Sequence, residues 1–111
     1  MKIEHNKLVR DKIPDIIRDS GNQCEILILN DTEYIEALRQ KLVEEAGEAA
    51  RSSPDKLVEE LADVMEVMDA LIAAAGIEPE TVIAKQNQKY RERGGFQEKI
   101  KLLWTISSPT E

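Results

Sequence analysis

Two consecutive segments, at residues 35–50 and 57–75, carry apolar residues at the spacing of amphipathic helices. The stripes are Ile35, Leu38, Leu42, Ala46 and Ala49 in the first segment, and Leu57, Leu61, Val64, Met68, Leu71, Ile72 and Ala75 in the second. Residues 51–54, between the segments, include two serines and a proline, which is typical of a turn. Helices joined by a short turn bury such stripes by folding back on each other. The sequence therefore predicts an antiparallel helical hairpin.

Two pairs of carboxylates lie beside these stripes, each pair with a spacing of three residues. They are Glu45 with Glu48, and Glu60 with Asp63. At about 100° per residue, both pairs are offset from their stripes in the same rotational sense. Offsets of the same sense on antiparallel helices fall on the same edge of the hairpin, so the four side chains should converge there. Three neighbouring glutamates should point away from that edge: Glu44, Glu59 and Glu66.

Four converging carboxylates repel one another, so folding them together costs free energy unless a positive charge lies between them. Mg²⁺ prefers hard oxygen ligands of this kind, and Mn²⁺ is a possible substitute. The four carboxylates therefore predict a divalent cation site. The alternative is an acidic chain with solvated helix faces, since exposed glutamates are common. The residues alone leave both interpretations open.

The two acidic pairs on consecutive helices resemble the signature of the all-α nucleoside triphosphate pyrophosphohydrolases. That superfamily includes MazG, the dimeric dUTPases and phosphoribosyl-ATP pyrophosphohydrolase. The flanks, Asn-Lys-Leu-Val-Arg-Asp-Lys-Ile-Pro at 6–14 and Arg-Gly-Gly-Phe at 93–96, are similar to the small MazG-like, phosphoribosyl-ATP pyrophosphohydrolase-like branch. The resemblance runs over nearly the whole chain, although the spacer between the acidic pairs is short for the superfamily.

This resemblance implies a mainly α, MazG-like helical bundle and a Mg²⁺-dependent enzyme of nucleotide-pool house-cleaning. The enzyme would hydrolyse a nucleoside triphosphate, or a related nucleotide, to the monophosphate and pyrophosphate by attack at the α-phosphorus. Glu45, Glu48, Glu60 and Asp63 would bind the metal, and Glu45 or Glu48 would orient the attacking water. One alternative is phosphoribosyl-ATP pyrophosphohydrolase of histidine biosynthesis. Another is a non-catalytic helical interaction protein with a degenerate site.

Two groups of basic residues are candidates for binding substrate phosphates. The full set is Lys7, Arg10 and Lys12 near the start, Lys41 on the first acidic helix, and Lys85, Lys89 and Arg93 at four-residue spacing in a later helix. Lysine and arginine donate charge-assisted hydrogen bonds to phosphate oxygens. Both groups are equally typical of solvated surfaces on an acidic protein, so the sequence leaves their role open.

Helix-capping residues, prolines and strand-like patterns predict the remaining helices and strands. Pro14 should begin a short helix over 14–19, and residues 30–33 should form a capping box at the start of the first acidic helix. Ser53 should cap the second acidic helix, with Pro54 as its first residue. A third long helix should run over 79–93. Residues 24–29 and 99–106 have strand patterns and should pair as a two-stranded β ribbon between the N- and C-terminal regions, with Trp104 packed on the helices.

Length and composition limit the partners. A chain of 111 residues predicts a single domain over 1–111. Its net charge of −7 argues against binding a nucleic-acid polymer. The single cysteine, with no apolar leader and no membrane-spanning run, favours the cytoplasm. The apolar stripes are too broad for three helices to cover, which predicts a homodimer. The family resemblance implies a dimer or a dimer of dimers, with substrate pockets at the subunit boundary.

Overall fold

The computed structural model describes residues 1–109, which form four α-helices. They are α1 (Ile13–Asp19), α2 (Asp31–Arg51), α3 (Leu57–Ala74) and α4 (Pro79–Arg93), with a 3-10 turn at Pro54–Lys56. The predicted mainly α fold is therefore confirmed. The chain divides into two compact units, Met1–Pro79 and the part from Glu80 onward. The assignment of residues 1–111 to one functional domain stays a prediction.

The capping box that opens α2 is formed as the sequence predicts. Asn30 Oδ1 accepts a hydrogen bond from the Glu33 backbone N–H at 2.8 Å, and Glu33 Oε1 accepts one from the Asn30 N–H at 3.3 Å. Two backbone donors that the helix itself cannot satisfy thereby gain partners. These bonds fix where α2 begins and thus the position of every side chain along it.

Replacing Asn30 with Ala is expected to lower the free energy of unfolding by about 1 kcal/mol, because the cap is lost. The melting temperature should fall by about 4–8 °C in a domain of this size. Asn22→Ala, at an exposed asparagine outside the helices, is the matched control and should leave the melting temperature nearly unchanged. Equal melting temperatures for the two variants would contradict the capping role.

The turn between α2 and α3 differs in detail from the prediction. Ser53 makes no side-chain capping hydrogen bond, and Pro54 opens a 3-10 turn instead of α3 itself. The backbone N–H of Lys56 bonds to the Ser53 carbonyl at 3.0 Å, and the Ser52 hydroxyl donates to the Ala49 carbonyl at 3.1 Å. The predicted cap was wrong because the Ser53 hydroxyl donates to the Asp55 carboxylate instead of accepting from a backbone N–H of the helix.

The hairpin of α2 and α3 is present, but each helix is rotated about its axis relative to the predicted packing face. Leu38 and Val67 are the buried residues at its centre, and Glu60 is half-buried. At about 100° per residue, Leu38 lies about 40° and Val67 about 90° from the centre of the predicted stripe on its helix, in the same rotational sense. Both rotations move the acidic side chains towards the interface between the helices. The predicted stripe was imprecise because its breadth allows several packing faces.

The same rotation leaves one side of the hairpin apolar and exposed. We call this surface the apolar edge; its α3 residues are Leu57, Leu61, Met65 and Met68. Met65 is 64% exposed and Met68 42%. On α2 the exposed Ala46 is offset from the packing face in the same rotational sense, so it lies on the same edge. The opposite edge of the hairpin, which we call the acidic edge, carries Glu45, Glu60 and Asp63.

The predicted β ribbon is wrong. Within residues 1–109, neither 24–29 nor 99–106 forms a strand, and Trp104 is 72% exposed rather than packed on helices. An alternating pattern shows which side chains could share a face, but a strand exists only where a second chain segment satisfies its backbone groups. No described segment supplies that partner to either run.

Two smaller predictions agree with the structure to within a residue. The short helix α1 begins at Ile13 instead of Pro14 and ends before Gly21, whose φ is +89°. The third long helix spans Pro79–Arg93 as predicted. None of the described helices combines the length and the apolar character needed to cross a bilayer.

Candidate metal centre

Three carboxylates meet at the acidic edge of the hairpin, and we call them the acidic cluster. Glu45 on α2 and Glu60 and Asp63 on α3 each offer an oxygen, and these oxygens all lie within 4.8 Å of one another. All three residues are half-buried. The three-residue spacing of Glu60 and Asp63 places both on one side of α3, and the short turn brings Glu45 alongside them.

The fourth predicted ligand, Glu48, lies outside this three-oxygen cluster. Its Oε1 is 3.5 Å from Arg51 Nη2, and its side chain is 51% exposed, whereas that of Glu45 is 14% exposed. Arg51 occupies the space beside Gly47, where a Cβ would stand 3.0 Å from its Nη1. Glu48 is nonetheless close enough to the cluster for its charge to act on Glu60.

The electrostatics of the cluster show mutual repulsion. Partial desolvation raises the pKa of Glu60 above its usual value, and the negative charges of its neighbours raise it further. In decreasing order of effect, those neighbours are Glu48, Asp63, Glu45 and Glu59. A carboxylate whose ionised form is disfavoured in this way gains stability from a cation placed among the oxygens.

A cation from the N-terminal segment, residues 1–12, already contacts the cluster. Arg10 Nη2 donates to Asp63 Oδ1 at 2.7 Å, and Arg10 Nη1 lies 3.9 Å from Glu66 Oε1. A guanidinium so placed offsets part of the repulsion around Asp63. A metal ion that used this Asp63 oxygen would therefore compete with Arg10.

Lys7 and Lys41 surround Glu44, which was predicted to point away from the edge that carries the four carboxylates. Lys7 Nζ donates to Glu44 Oε1 at 3.2 Å, and Lys41 Nζ lies 3.7 Å from the same oxygen. The hydrogen bond from Lys7 lowers the pKa of Glu44 below its usual value. Lys41 also lies 3.4 Å from Glu45 Oε1, so it links Glu44 to the acidic cluster. Glu44 itself lies outside the three-oxygen cluster, and its pairing with the N-terminal segment was not predicted.

The remaining basic candidates form no ion pair with the acidic cluster among the described residues. Lys12 is exposed and forms no ion pair among the described residues. Lys85, Lys89 and Arg93 lie on exposed positions of α4, in the second unit, where Lys85 Nζ donates to Gln88 Oε1 at 3.0 Å. The role of these four residues in binding phosphate stays a prediction.

The donor set of the acidic cluster fits a hard divalent cation. It consists of carboxylate oxygens only, with no thiolate or imidazole, which suits Mg²⁺ or Mn²⁺ better than zinc. Three carboxylates leave coordination positions for water and for substrate oxygens, as Mg²⁺ sites in phosphate chemistry commonly do. The class of protein that this hairpin and its cluster define is an all-α domain able to hold such a cation between two helices.

Comparison with protein families identifies the family to which this chain belongs. Residues 33–95, more than half of the chain, match the sequence model of the MazG nucleotide pyrophosphohydrolase domain. The chain belongs to this family, as its acidic motifs predict. Membership supports a nucleotide pyrophosphohydrolase activity in general. The matched residues include all but the first two residues of α2, all of α3 and the whole acidic cluster.

Comparison with individual proteins adds little to the family assignment. An uncharacterized protein of Mycolicibacterium smegmatis (strain ATCC 700084 / mc(2)155) is 52% identical over 42 residues. That match covers 38% of this chain and 43% of the relative, so the chain aligns with less than half of that protein's length. No solved structure matches the chain significantly.

Sequence reasoning missed the cation that contacts the cluster. Arg10 and Lys7 were identified as phosphate ligands, but their pairing with Asp63 and Glu44 was not foreseen. The only indication in the sequence was a short group of basic residues near the start of a strongly acidic chain. Such residues are expected to pair with some of its carboxylates. Which carboxylates it finds depends on how residues 1–12 lie against the hairpin.

Proposed function

We propose that this protein is a Mg²⁺-dependent pyrophosphohydrolase that converts a nucleoside triphosphate, or a related nucleotide, to the monophosphate and pyrophosphate. The observation that carries the proposal is the convergence of Glu45, Glu60 and Asp63 in a chain whose residues 33–95 match the MazG family. Mg²⁺ held by these carboxylates would neutralise phosphate charge and acidify a water molecule. Mn²⁺ is a possible substitute.

In the proposed reaction a water oxygen attacks the α-phosphorus. The bond from that phosphorus to the oxygen bridging the α- and β-phosphates breaks, and pyrophosphate leaves. The proton of the water passes to a carboxylate. Glu48 suits this role better than Glu45, because its greater exposure and its place outside the three-oxygen cluster leave it free to accept the proton.

The basic residues around the cluster suit the substrate's negative charge. Lys41 and Lys7 lie beside Glu44, and Arg10 lies on Asp63, so all three cations stand at or next to the proposed metal site. When a metal ion takes over the neutralisation of the carboxylates, these donors become available to phosphate oxygens. We propose Lys12, favoured by the family resemblance, and Lys85, Lys89 and Arg93, from their four-residue spacing, as further phosphate contacts.

The decisive experiment is release of pyrophosphate from a panel of ribo- and deoxyribonucleoside triphosphates and phosphoribosyl-ATP, with and without Mg²⁺. The proposal predicts turnover that requires Mg²⁺ and yields monophosphate and pyrophosphate in equal amounts. Release of orthophosphate instead would place attack at the γ-phosphorus and overturn the proposed reaction. Absence of any turnover across the panel would favour a binding protein with a degenerate site.

We further propose that a second copy of the chain covers the apolar edge. Leaving Leu61, Met65 and Met68 in water forgoes about 25 cal/mol for each Å² of apolar surface that could be buried. A symmetric pairing would bury these side chains against their own copies and form a four-helix core from two hairpins. A homodimer, or a dimer of such dimers, follows, with each substrate pocket near the subunit boundary.

The contact between Arg10 and Asp63 leads to a prediction about metal affinity. Arg10→Gln is expected to tighten Mg²⁺ binding, because an exposed ion pair that competes for Asp63 is worth about 0.2–1 kcal/mol, or up to about fivefold in dissociation constant. Turnover should fall, because the variant lacks a proposed phosphate donor. Isothermal titration calorimetry with Mg²⁺ alone, and the pyrophosphate assay, measure the two effects separately.

Lys12→Gln is the matched control for this experiment. It removes one positive charge from the same segment at a position without an ion pair among the described residues. Mg²⁺ affinity in this variant should stay closer to that of the wild type than in Arg10→Gln. Weaker Mg²⁺ binding by Arg10→Gln would show that Arg10 supports the metal site rather than competing with the ion.

A further inference from the structure

A groove of about 580 Å³ runs between the N-terminal segment and α2, and it lies entirely within the first unit. One wall is formed by residues 5–8, and the other by the face of α2 from Ala37 to Glu44. Its volume is within the range of about 300–1,000 Å³ that is usual for small-molecule sites. Of its lining residues, the proposed reaction uses only Lys7 and Lys41, as phosphate donors.

The groove adjoins the acidic cluster. Lys41 lines the groove, and its Nζ lies 3.4 Å from Glu45 Oε1 in the cluster. Gln40 lies about 7.5 Å along the axis of α2 and about 140° around it from Glu45, with Lys41 and Glu44 between them. Ala37 lies about 12 Å along the axis and about 80° around it from Glu45. A nucleotide with its phosphates at the cluster would span this distance with its sugar and base.

The lining of the groove suits a nucleobase. Leu8, Ala37 and Val43 supply apolar surface for the flat faces of a base. Asn6 and Gln40 carry side-chain amides, each with a donor nitrogen and an acceptor oxygen that can match the edge of a base. In the described part of the chain neither amide is committed to a side-chain hydrogen bond within the protein.

The two walls of the groove are held together by contacts that also reach the cluster. The ion pair between Lys7 and Glu44 joins the N-terminal wall to α2 at 3.2 Å. Asn6, immediately before Lys7, has a positive φ of 49°, a conformation that asparagine tolerates better than most residues. The backbone at this position therefore favours a residue that can also offer an amide to a ligand.

From these observations we infer that the groove binds the nucleoside half of the substrate, with Asn6 and Gln40 determining which base is accepted. This inference rests on the proposed function for the placement of the phosphates. It assigns base selection to the N-terminal segment and α2, while α3 contributes to the metal site only. Gln40→Ala should therefore alter the choice of base without altering the affinity for Mg²⁺.

The test uses the ribo- and deoxyribonucleoside monophosphates and, separately, inorganic pyrophosphate as probes, with the ¹⁵N-labelled full chain in the presence of Mg²⁺. The favoured monophosphate should shift the amide resonances of residues 5–8 and 37–44, and pyrophosphate should leave the Asn6 and Gln40 side-chain amides unshifted. Gln40→Ala should weaken binding of the favoured monophosphate by about 2–10-fold, the range for one hydrogen bond. Its KM for the matching triphosphate should rise similarly, while kcat changes less.

Two further variants keep the test decisive. Ala37→Leu fills the groove and should weaken binding of every monophosphate alike, whereas Asn22→Ala, at an exposed amide that does not line the groove, should leave binding unchanged. The ¹⁵N spectrum reports whether each variant is folded. Shifts confined to residues outside the groove, or an unchanged base preference in Gln40→Ala with turnover intact, would overturn the inference and leave the proposed reaction standing. Monophosphate binding in the groove without turnover on any substrate would uphold the inference and overturn the reaction.

Discussion

Glu60→Gln is expected to abolish Mg²⁺-dependent release of pyrophosphate and, at the same time, to stabilise the protein in the absence of metal. Loss of a direct ligand should lower turnover by at least about 100-fold, since even residues behind metal ligands typically cost 10–100-fold. The stabilisation follows from the geometry of the cluster. Glu60 is partly desolvated and repelled by neighbouring carboxylates, so removing its charge removes both destabilising effects from the metal-free protein.

The pH dependence of this effect has a definite sign. Because the pKa of Glu60 is higher in the folded chain than in the unfolded one, the folded state holds the proton more firmly. The contribution of Glu60 to stability is therefore fully present below its unfolded pKa and is lost as the pH rises through the folded pKa. The gain in melting temperature of Glu60→Gln over the wild type, measured with chelator, should be larger at neutral pH than at acidic pH.

Glu59→Gln provides the matched control for Glu60. It removes the same charge one residue earlier, at an exposed position whose effect on Glu60 is the smallest of the four neighbours. Millimolar Mg²⁺ should raise the melting temperature of the wild type and of Glu59→Gln, because an ion that binds the native state alone stabilises it. Glu60→Gln should lose most of that increase. Equal losses of turnover in the two variants would show that the acidic cluster is not the metal site.

Met68→Asp is expected to convert the proposed dimer to monomers while leaving the monomer folded. Met68 is 42% exposed in the single chain, so the substitution should cost the monomer only about 1 kcal/mol or less. In the proposed dimer the same carboxylate would be buried without a partner against the apolar edge of the second copy. A buried unpaired charge costs several kcal/mol, which should raise the dimer dissociation constant by about 100-fold or more.

The measurement is the molar mass by light scattering across a concentration series, together with the far-ultraviolet circular dichroism that reports folding. Ala73→Asp introduces the same charge on the same helix at an exposed position away from the apolar edge, and it should remain dimeric. Turnover by Met68→Asp should fall with the loss of the dimer if the substrate pocket lies near the boundary. A wild-type chain that stays monomeric at micromolar concentration with full turnover would contradict both the dimer and that placement.

Local sequence patterns determined the helices and the identity of the cluster residues. The Asn30 capping box, Gly21 and the apolar periodicity each act within a few residues, so they set where helices begin, end and carry carboxylates irrespective of the rest of the chain. The three-residue spacing of Glu60 and Asp63 put both on one face of α3 by helix geometry alone. These features follow from short-range interactions, which a sequence encodes directly.

Tertiary packing decided how the two helices are rotated and which charges meet. The apolar stripes are broad enough for several packing faces, and only the assembled hairpin selects the one that half-buries Glu60 and exposes Met65. The contact between Arg10 and Asp63 joins residues 53 positions apart, a separation at which no local pattern acts. Within residues 1–109 the strand patterns at 24–29 and 99–106 find no pairing partner. The hydrogen bonds of a strand need a second segment, which only the fold can bring alongside.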